Sequence, residues 1–210
     1  GYNGQGQCTV PAELNGVATI AARGYHTMAL KSNGTVVAWG DNAAGQSTVP
    51  ANLNGVVAVA AGGEHSVALA SNGTIVAWGN NTYGQAGDGT LLHATYPTNL
   101  FHLYGATSVA TGNVHTCAVI HGGAKCWGDA GGGKLGNGLS TYAVRPVDVV
   151  GLGSPLSAIV AGNMQTCGLT PTGAVKCWGG THFGINPTFP DGDPGAGGES
   201  PNIPELSSGV

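Results

Sequence analysis

The chain has 210 residues, with 39 glycines, 41% apolar and 8% charged residues, and a net charge of −4. Six Lys and Arg without a basic run do not supply the phosphate-facing clusters that nucleic-acid binding needs, and no apolar stretch approaches the ~20 residues of a membrane span. High glycine with low charge would suit a disordered chain, but here the apolar residues come in ordered blocks, which favours a packed fold.

The opening sixteen residues, GYNGQGQCTVPAELNG, repeat GDNAAGQSTVPANLNG at positions 40–55 almost residue for residue. They read as the tail of a preceding unit. The next segment, Gly16–Gly40, is GVATIAARGYHTMALKSNGTVVAWG, and Gly55–Gly79 returns as GVVAVAAGGEHSVALASNGTIVAWG. The same block comes back at Ala106–Gly128 and Leu156–Gly179. Self-similarity at a near-fixed period marks an array of one small unit. Trp39, Trp78, Trp127 and Trp178 lie at spacings of 39, 49 and 51 residues. The unit is therefore constant and its connection varies.

Each unit opens with an apolar run (Val17–Ala22, Val56–Ala61, Thr107–Ala110, Leu156–Ala161), followed by a polar turn. A second strand such as His26–Lys31 and a third such as Thr35–Trp39 follow. Val, Ile, Thr and Trp in runs of four to seven, punctuated by Gly, Asn and Ser, are strand and turn chemistry. The turns Ser32-Asn33-Gly34 and Ser71-Asn72-Gly73 suit a type I turn closed by a left-handed glycine. Pro171-Thr172-Gly173 occupies the same place in the fourth unit, and the third is one residue shorter, with His121-Gly122 at its tip. This register sets Met28 opposite Ala38 and Leu30 opposite Val36, with Ala29, Val37 and Trp39 on the other face. Both faces are apolar, so both need covering. A radial stack of small antiparallel sheets, a β-propeller, meets that need.

The pattern (I/V)AxGxxH…ALxxxGxVxxWG resembles the regulator of chromosome condensation repeat family. The resemblance covers nearly the whole chain and implies an all-β propeller of seven blades, of which about four are present. On this reading residues 1–15 are the tail of a preceding blade; 16–54, 55–105 and 106–155 are blades; and 156–210 is a blade with a long C-terminal connection. The first two blocks, with GQSTVP at Gly45–Pro50, resemble a secreted bacterial branch that includes the propeller-type β-lactamase inhibitory protein. The last two, with HTCAVI and AKCWG, resemble repeats of bacterial exported proteins. The first residues show no signal-peptide pattern, so an exported form would already be processed. A chain of this kind is expected to be incomplete, with further segments or copies supplying the remaining blades.

Cys117 and Cys126 fill the two facing hairpin sites held by Met28/Ala38 and Val67/Ala77 in other units, and Cys167 and Cys177 fill the same two sites in the fourth. Opposite residues of an antiparallel pair are within disulfide reach. The expectation is two disulfides, Cys117–Cys126 and Cys167–Cys177, with two buried thiol pairs as the alternative. Disulfides imply an oxidising compartment, extracellular or at the cell surface. Cys8, at the place of Ser47, is the odd one.

His26, His65 and His115 share one repeat position, where the fourth unit has Gln165. They sit on different units without metal-ligand spacing, so a structural role is expected and no metal or cofactor. His93, His102, His121 and His182 lie in turns or connections. Asn33-Gly34-Thr35, Asn72-Gly73-Thr74 and Asn80-Asn81-Thr82 match the glycosylation pattern, but turn use is the simpler reading. Gly131-Gly132-Gly133-Lys134 lacks the spacing of a phosphate loop. Asp191, Asp193 and Glu199 read as a solvated connection rather than a calcium site. No catalytic set emerges, and no enzyme is expected.

Loops on a rigid scaffold carry binding. The variable top-loop residues are the candidate partner contacts: Arg23, Tyr25, Glu64, Tyr83, Val114, Met164 and Phe183. Tyr25, Tyr83 and Phe183 are comparable to the aromatic anchors of the inhibitor relatives. The sequence thus suggests a non-enzymatic extracellular or cell-surface protein-interaction scaffold with an unidentified protein partner. The alternatives are an inhibitor of a secreted hydrolase such as a β-lactamase, and a structural subunit of a surface filament or assembly.

Overall fold

The computed structural model describes residues 1–99 and 103–180. Within them, fourteen strands form four antiparallel sheets, the blades of a propeller. The first blade holds β1 (Val17–Arg23), β2 (His26–Lys31) and β3 (Val36–Gly40). The second holds β4 (Val56–Ala61), β5 (His65–Ala70), β6 (Ile75–Gly79) and β7 (Ala94–Asn99). The third holds β8 (Ala106–Thr111), β9 (His115–Ile120), β10 (Gly123–Gly128) and β11 (Ala143–Asp148). The fourth holds β12 (Ala158–Ala161), β13 (Gln165–Leu169) and β14 (Val175–Gly179). Each sheet runs in chain order, so every strand pairs with its sequence neighbour. No helix of the described residues is long and apolar enough to cross a membrane.

The hairpin register is the one the turn chemistry dictates. Met28 faces Ala38 and Leu30 faces Val36. Gly34 takes the left-handed conformation at φ 80°, and its amide donates to the Lys31 carbonyl at 2.9 Å. The shorter third turn forces His121 to φ 51°, a conformation rare outside glycine.

Two strands come as additions. The outer strands β7 and β11 each carry a proline, Pro97 and Pro146. Proline cannot donate to a ladder, so such strands survive only at an edge, and both lie at the outer edge of their sheets.

The two faces of each sheet serve different neighbours. Met28 and Leu30 of the first blade pack against Ala61, Ala68, Val76 and Trp78 of the second. The second blade's other face, with Ala60, Val67, Leu69, Ile75 and Ala77, packs on Ala118 and Trp127 of the third. Ala110, Cys117, Val119, Ala124 and Cys126 then meet Leu156, Ile159 and Trp178 of the fourth. Each large side chain buried here contributes roughly 1.5–3 kcal/mol, so the stack, not any single blade, is the stable unit.

Cys117 pairs with Cys126 and Cys167 with Cys177 at disulfide distance, with Cα separations of 4.1 and 4.0 Å. The first pair is fully buried between the third and fourth blades, whereas the second is half-buried on the fourth blade's opposite face. Intact mass is expected to rise by two hydrogens per bridge on denaturing reduction. Under native conditions a mild reductant should open Cys167–Cys177 first, as read by alkylation and peptide mapping. Four alkylatable thiols at these positions without reductant would contradict the bridges.

Candidate functional site

The top of the stack is built around one backbone carbonyl per blade. The carbonyl of Gln46, at the end of the loop after β3, accepts from Trp78 Nε1 at 2.9 Å and from Ser66 Oγ at 2.8 Å. Both donors belong to the next blade. The Gln85 carbonyl does the same for Trp127 and Thr116, at 2.9 and 2.8 Å. The Gln7 carbonyl serves Trp39 and Thr27, both at 3.0 Å, and that of Lys134 serves Trp178 and Thr166, both at 3.1 Å. Each carbonyl thereby fills both its lone pairs.

The repeated histidines complete this chain. His26 Nε2 lies 2.9 Å from Ser66 Oγ, His65 Nε2 3.0 Å from Thr116 Oγ1 and His115 Nε2 3.0 Å from Thr166 Oγ1. Each hydroxyl has spent its one proton on a loop carbonyl, so the ring nitrogen must be the donor. That fixes the neutral tautomer protonated at Nε2, leaving each Nδ1 buried without a partner. The histidines are latches between consecutive blades. Among the described residues no group of His, Cys, Asp and Glu could hold a metal ion.

Each loop is held by its own long side chain. Gln46 Nε2 donates to Asp41 Oδ2 at 2.8 Å, and Gln85 Nε2 to Asn80 Oδ1 at 3.2 Å. In the glycine-rich third loop Lys134 replaces the glutamine, and its Nζ lies 2.5 Å from Asp129. The lysine is buried and turned inward. The Asn-Gly-Thr segments are turns, with Asn33 Oδ1 accepting from the Thr35 amide at 3.1 Å and Asn72 Oδ1 from the Thr74 amide at 3.0 Å.

On this frame stand the variable residues. The carbonyls of Tyr25, Glu64 and Val114 accept from the amides of Asp41, Asn80 and Asp129, at 2.8, 2.9 and 2.9 Å. Gly63 presses on Asn113, its amide donating to that residue's carbonyl at 2.9 Å, and a Cβ at Gly63 would collide with it. The backbone is pinned while the side chains stay out. Tyr25, Glu64, Tyr83 and Val114, from three blades, line one groove of about 470 Å³ together with Asn80, Thr82 and Asn113. Tyr25 is 51% exposed and Tyr83 46%. Asn80 Nδ2 donates to Glu64 Oε2 at 2.7 Å and so aims the carboxylate.

The other candidates fall elsewhere. Arg23 points across the stack and donates to the carbonyls of Thr111 at 3.3 Å and Ala161 at 3.0 Å. It also lines a smaller hollow of about 340 Å³ with Tyr2, Cys8 and Tyr25. Met164 takes a contact from Lys134 Nζ to its sulfur at 3.5 Å. Phe183, like His102, His182, Asp191, Asp193 and Glu199, lies outside the described residues.

A family model described as the regulator of chromosome condensation (RCC1) repeat matches residues 17–46 and 56–85, and a second of the same description matches 72–119. Residues 17–46 and 56–119 therefore carry repeats of the regulator of chromosome condensation family. Its sheets superpose on yeast RCC1 (Prp20), solved bound to Kap60, with a TM-score of 0.69 at 20% identity, over 81% of this chain and 45% of that one. Human WBSCR16 gives 0.68 at 25% identity, over 78% and 47%. The ectodomain of the Physcomitrella patens receptor kinase CR4 gives 0.52 at 26%, over 81% and 42%. The chain thus spans less than half the length of these relatives.

Electrostatics follow from the latch geometry of these RCC1 repeats. Burial pushes His65 down to about 3, helped by the nearby His26, His115 and Arg23. His115 is also lowered to about 3, by burial and then by Lys134 and Arg23, against Asp129. His26 is lowered to about 4 by burial, against Asp41. Unfolded rings titrate near 6.5. Above that value both states are neutral and the latches contribute fully. As pH falls below 6.5 the unfolded chain binds protons that the folded chain refuses, so stability is lost until the folded values are reached. The steepest loss is roughly 1.4 kcal/mol per pH unit per ring. Denaturant titrations between pH 7 and 4 should show this decline, and the H26Q/H65Q/H115Q variant, built on the Gln165 precedent, should flatten it. An equal decline in the variant would remove the histidines from the effect.

Proposed function

We propose that this chain is a non-enzymatic protein-interaction scaffold of an oxidising, extracellular or cell-surface compartment, and that it grips a partner protein in the groove between its first three blades. The observation that carries this reading is the convergence of Tyr25, Glu64, Tyr83 and Val114 on one groove. These residues differ between repeats while the scaffold beneath them does not. Half-exposed tyrosines on a rigid backbone bury large area at small entropic cost, and tyrosine is enriched among binding hot spots. Glu64, oriented by Asn80, would select a basic or hydrogen-bond-donating group opposite it. The two cystine pairs support the oxidising compartment. Protein binding is a known use of the fold: yeast RCC1 was solved with Kap60, and Prp20p was studied for binding to Gsp1p and histones.

The test is affinity capture from culture medium and envelope extracts of the source organism, with the wild-type chain and a Y25A/Y83A variant as baits. The affinity of each purified captured protein is then measured. The double variant should bind at least about thirty-fold more weakly, as expected when two anchors are lost, while Tyr142→Ala, outside the groove, should change nothing. A partner that binds both baits equally would move the function away from the groove. A captured hydrolase whose turnover falls in the complex would assign the inhibitor role.

A further inference from the structure

The groove between the first three blades carries an unanswered charge. Of the residues lining it, Glu64 alone is charged. Its carboxylate forms no ion pair among the described residues. Oε2 accepts from Asn80 Nδ2 at 2.7 Å, and Oε1 is left without a partner among them. The aim is enforced from below. Asn80 Oδ1 accepts from the amide and hydroxyl of Thr82, both at 2.8 Å, and from Gln85 Nε2 at 3.2 Å. The Asn80 amide can therefore present only its Nδ2 to the glutamate.

The cations of the neighbouring loops are committed elsewhere. Arg23 donates to the carbonyls of Thr111 and Ala161. Lys134 is buried against Asp129. Asp41, whose amide donates to the Tyr25 carbonyl, takes only neutral donors, the Ala43 amide and Gln46 Nε2. A second carboxylate without a counterion thus stands beside Tyr25. Two half-exposed tyrosines complete the groove. The Tyr25 ring is braced by Tyr2, with centroids 5.8 Å apart at 65°. Asn113, seated over Gly63, adds a side-chain oxygen.

A negative charge beside aromatic faces draws a cation. The groove is open to water, where a compact ammonium keeps its strong hydration. A guanidinium is weakly hydrated and planar, stacks on aromatic rings, and carries five N–H groups that serve a carboxylate and an amide oxygen at once. We infer that the partner's contact residue in this groove is an arginine, its guanidinium stacked on tyrosine and bonded to Glu64. The inference rests on the groove being the partner site and adds what that site recognises.

The probe is N-acetyl-arginine amide, titrated into the chain and followed by NMR of the assigned Tyr25 and Tyr83 ring signals. Both should shift saturably with a Kd of roughly 1–10 mM, the scale of one small contact. N-acetyl-citrulline amide has the same shape without the charge and should not saturate below about 100 mM. N-acetyl-lysine amide should bind at least about five-fold more weakly than arginine. E64Q keeps the Asn80 contact, since the glutamine oxygen still accepts from Nδ2, and removes only the charge. It should weaken arginine binding at least about ten-fold, as expected for a charged hydrogen bond, with the thermal midpoint unchanged. Arginine that leaves both rings unmoved overturns the inference. Citrulline or lysine binding as tightly as arginine does so too, as does an E64Q chain that binds like the wild type. The groove itself is judged separately. A captured partner that needs Tyr25 and Tyr83 but tolerates E64Q keeps the groove and strikes the arginine, whereas one indifferent to the tyrosines strikes both.

Discussion

The carbonyl oxygens of Gln7, Gln46, Gln85 and Lys134 hold this molecule together. Each sits at the end of one blade's loop and accepts an indole N–H and a hydroxyl from the next blade. A buried donor without a partner costs about 1–3 kcal/mol. Withdrawing one such oxygen would orphan two donors and, through the hydroxyl, disturb a histidine as well. The tryptophan spacing follows from this: the indole must reach the same oxygen in every unit, whatever the length of the connection between.

The arrangement separates structural duty from recognition. Glycine at positions 24 and 63 lets successive top loops touch, since a Cβ at either would strike the next loop. The residue after each of these, Tyr25 or Glu64, has its backbone fixed and its side chain exposed. Sequence change there costs the fold little, so the top face can be refitted while the junctions stay constant.

Much of this was legible in the sequence because the repeat supplies its own internal comparison. Hairpin register, turn type, the facing cysteines and the structural character of the histidines all follow from residues within one unit. The histidines' partners were not legible. His65 and Thr116 are 51 positions apart, and only the stacking of blades brings them together. The carbonyl acceptors carry no side-chain signal at all. Lys134 was hidden by its chemistry, since a lysine in a glycine-rich loop suggests exposure, yet it stands in for a glutamine and salts to Asp129. Pro97 and Pro146 masked the two outer strands. Of the groove, the sequence could name the variable positions, but not that Tyr25 and Tyr83, on loops of neighbouring blades, would share one hollow.

Arg23 gives the stack its hub. Its guanidinium reaches from the first blade to backbone oxygens of the third and fourth, spanning 88 and 138 residues of chain. Such a strut fixes how tightly the arc curves, because relaxing the curvature would pull a half-buried cation off its acceptors. Unlike the imidazoles it keeps its charge throughout the range in which proteins fold. Acid would therefore weaken the imidazole latches while the arginine strut beside them, paired with His26 in the sheet, held.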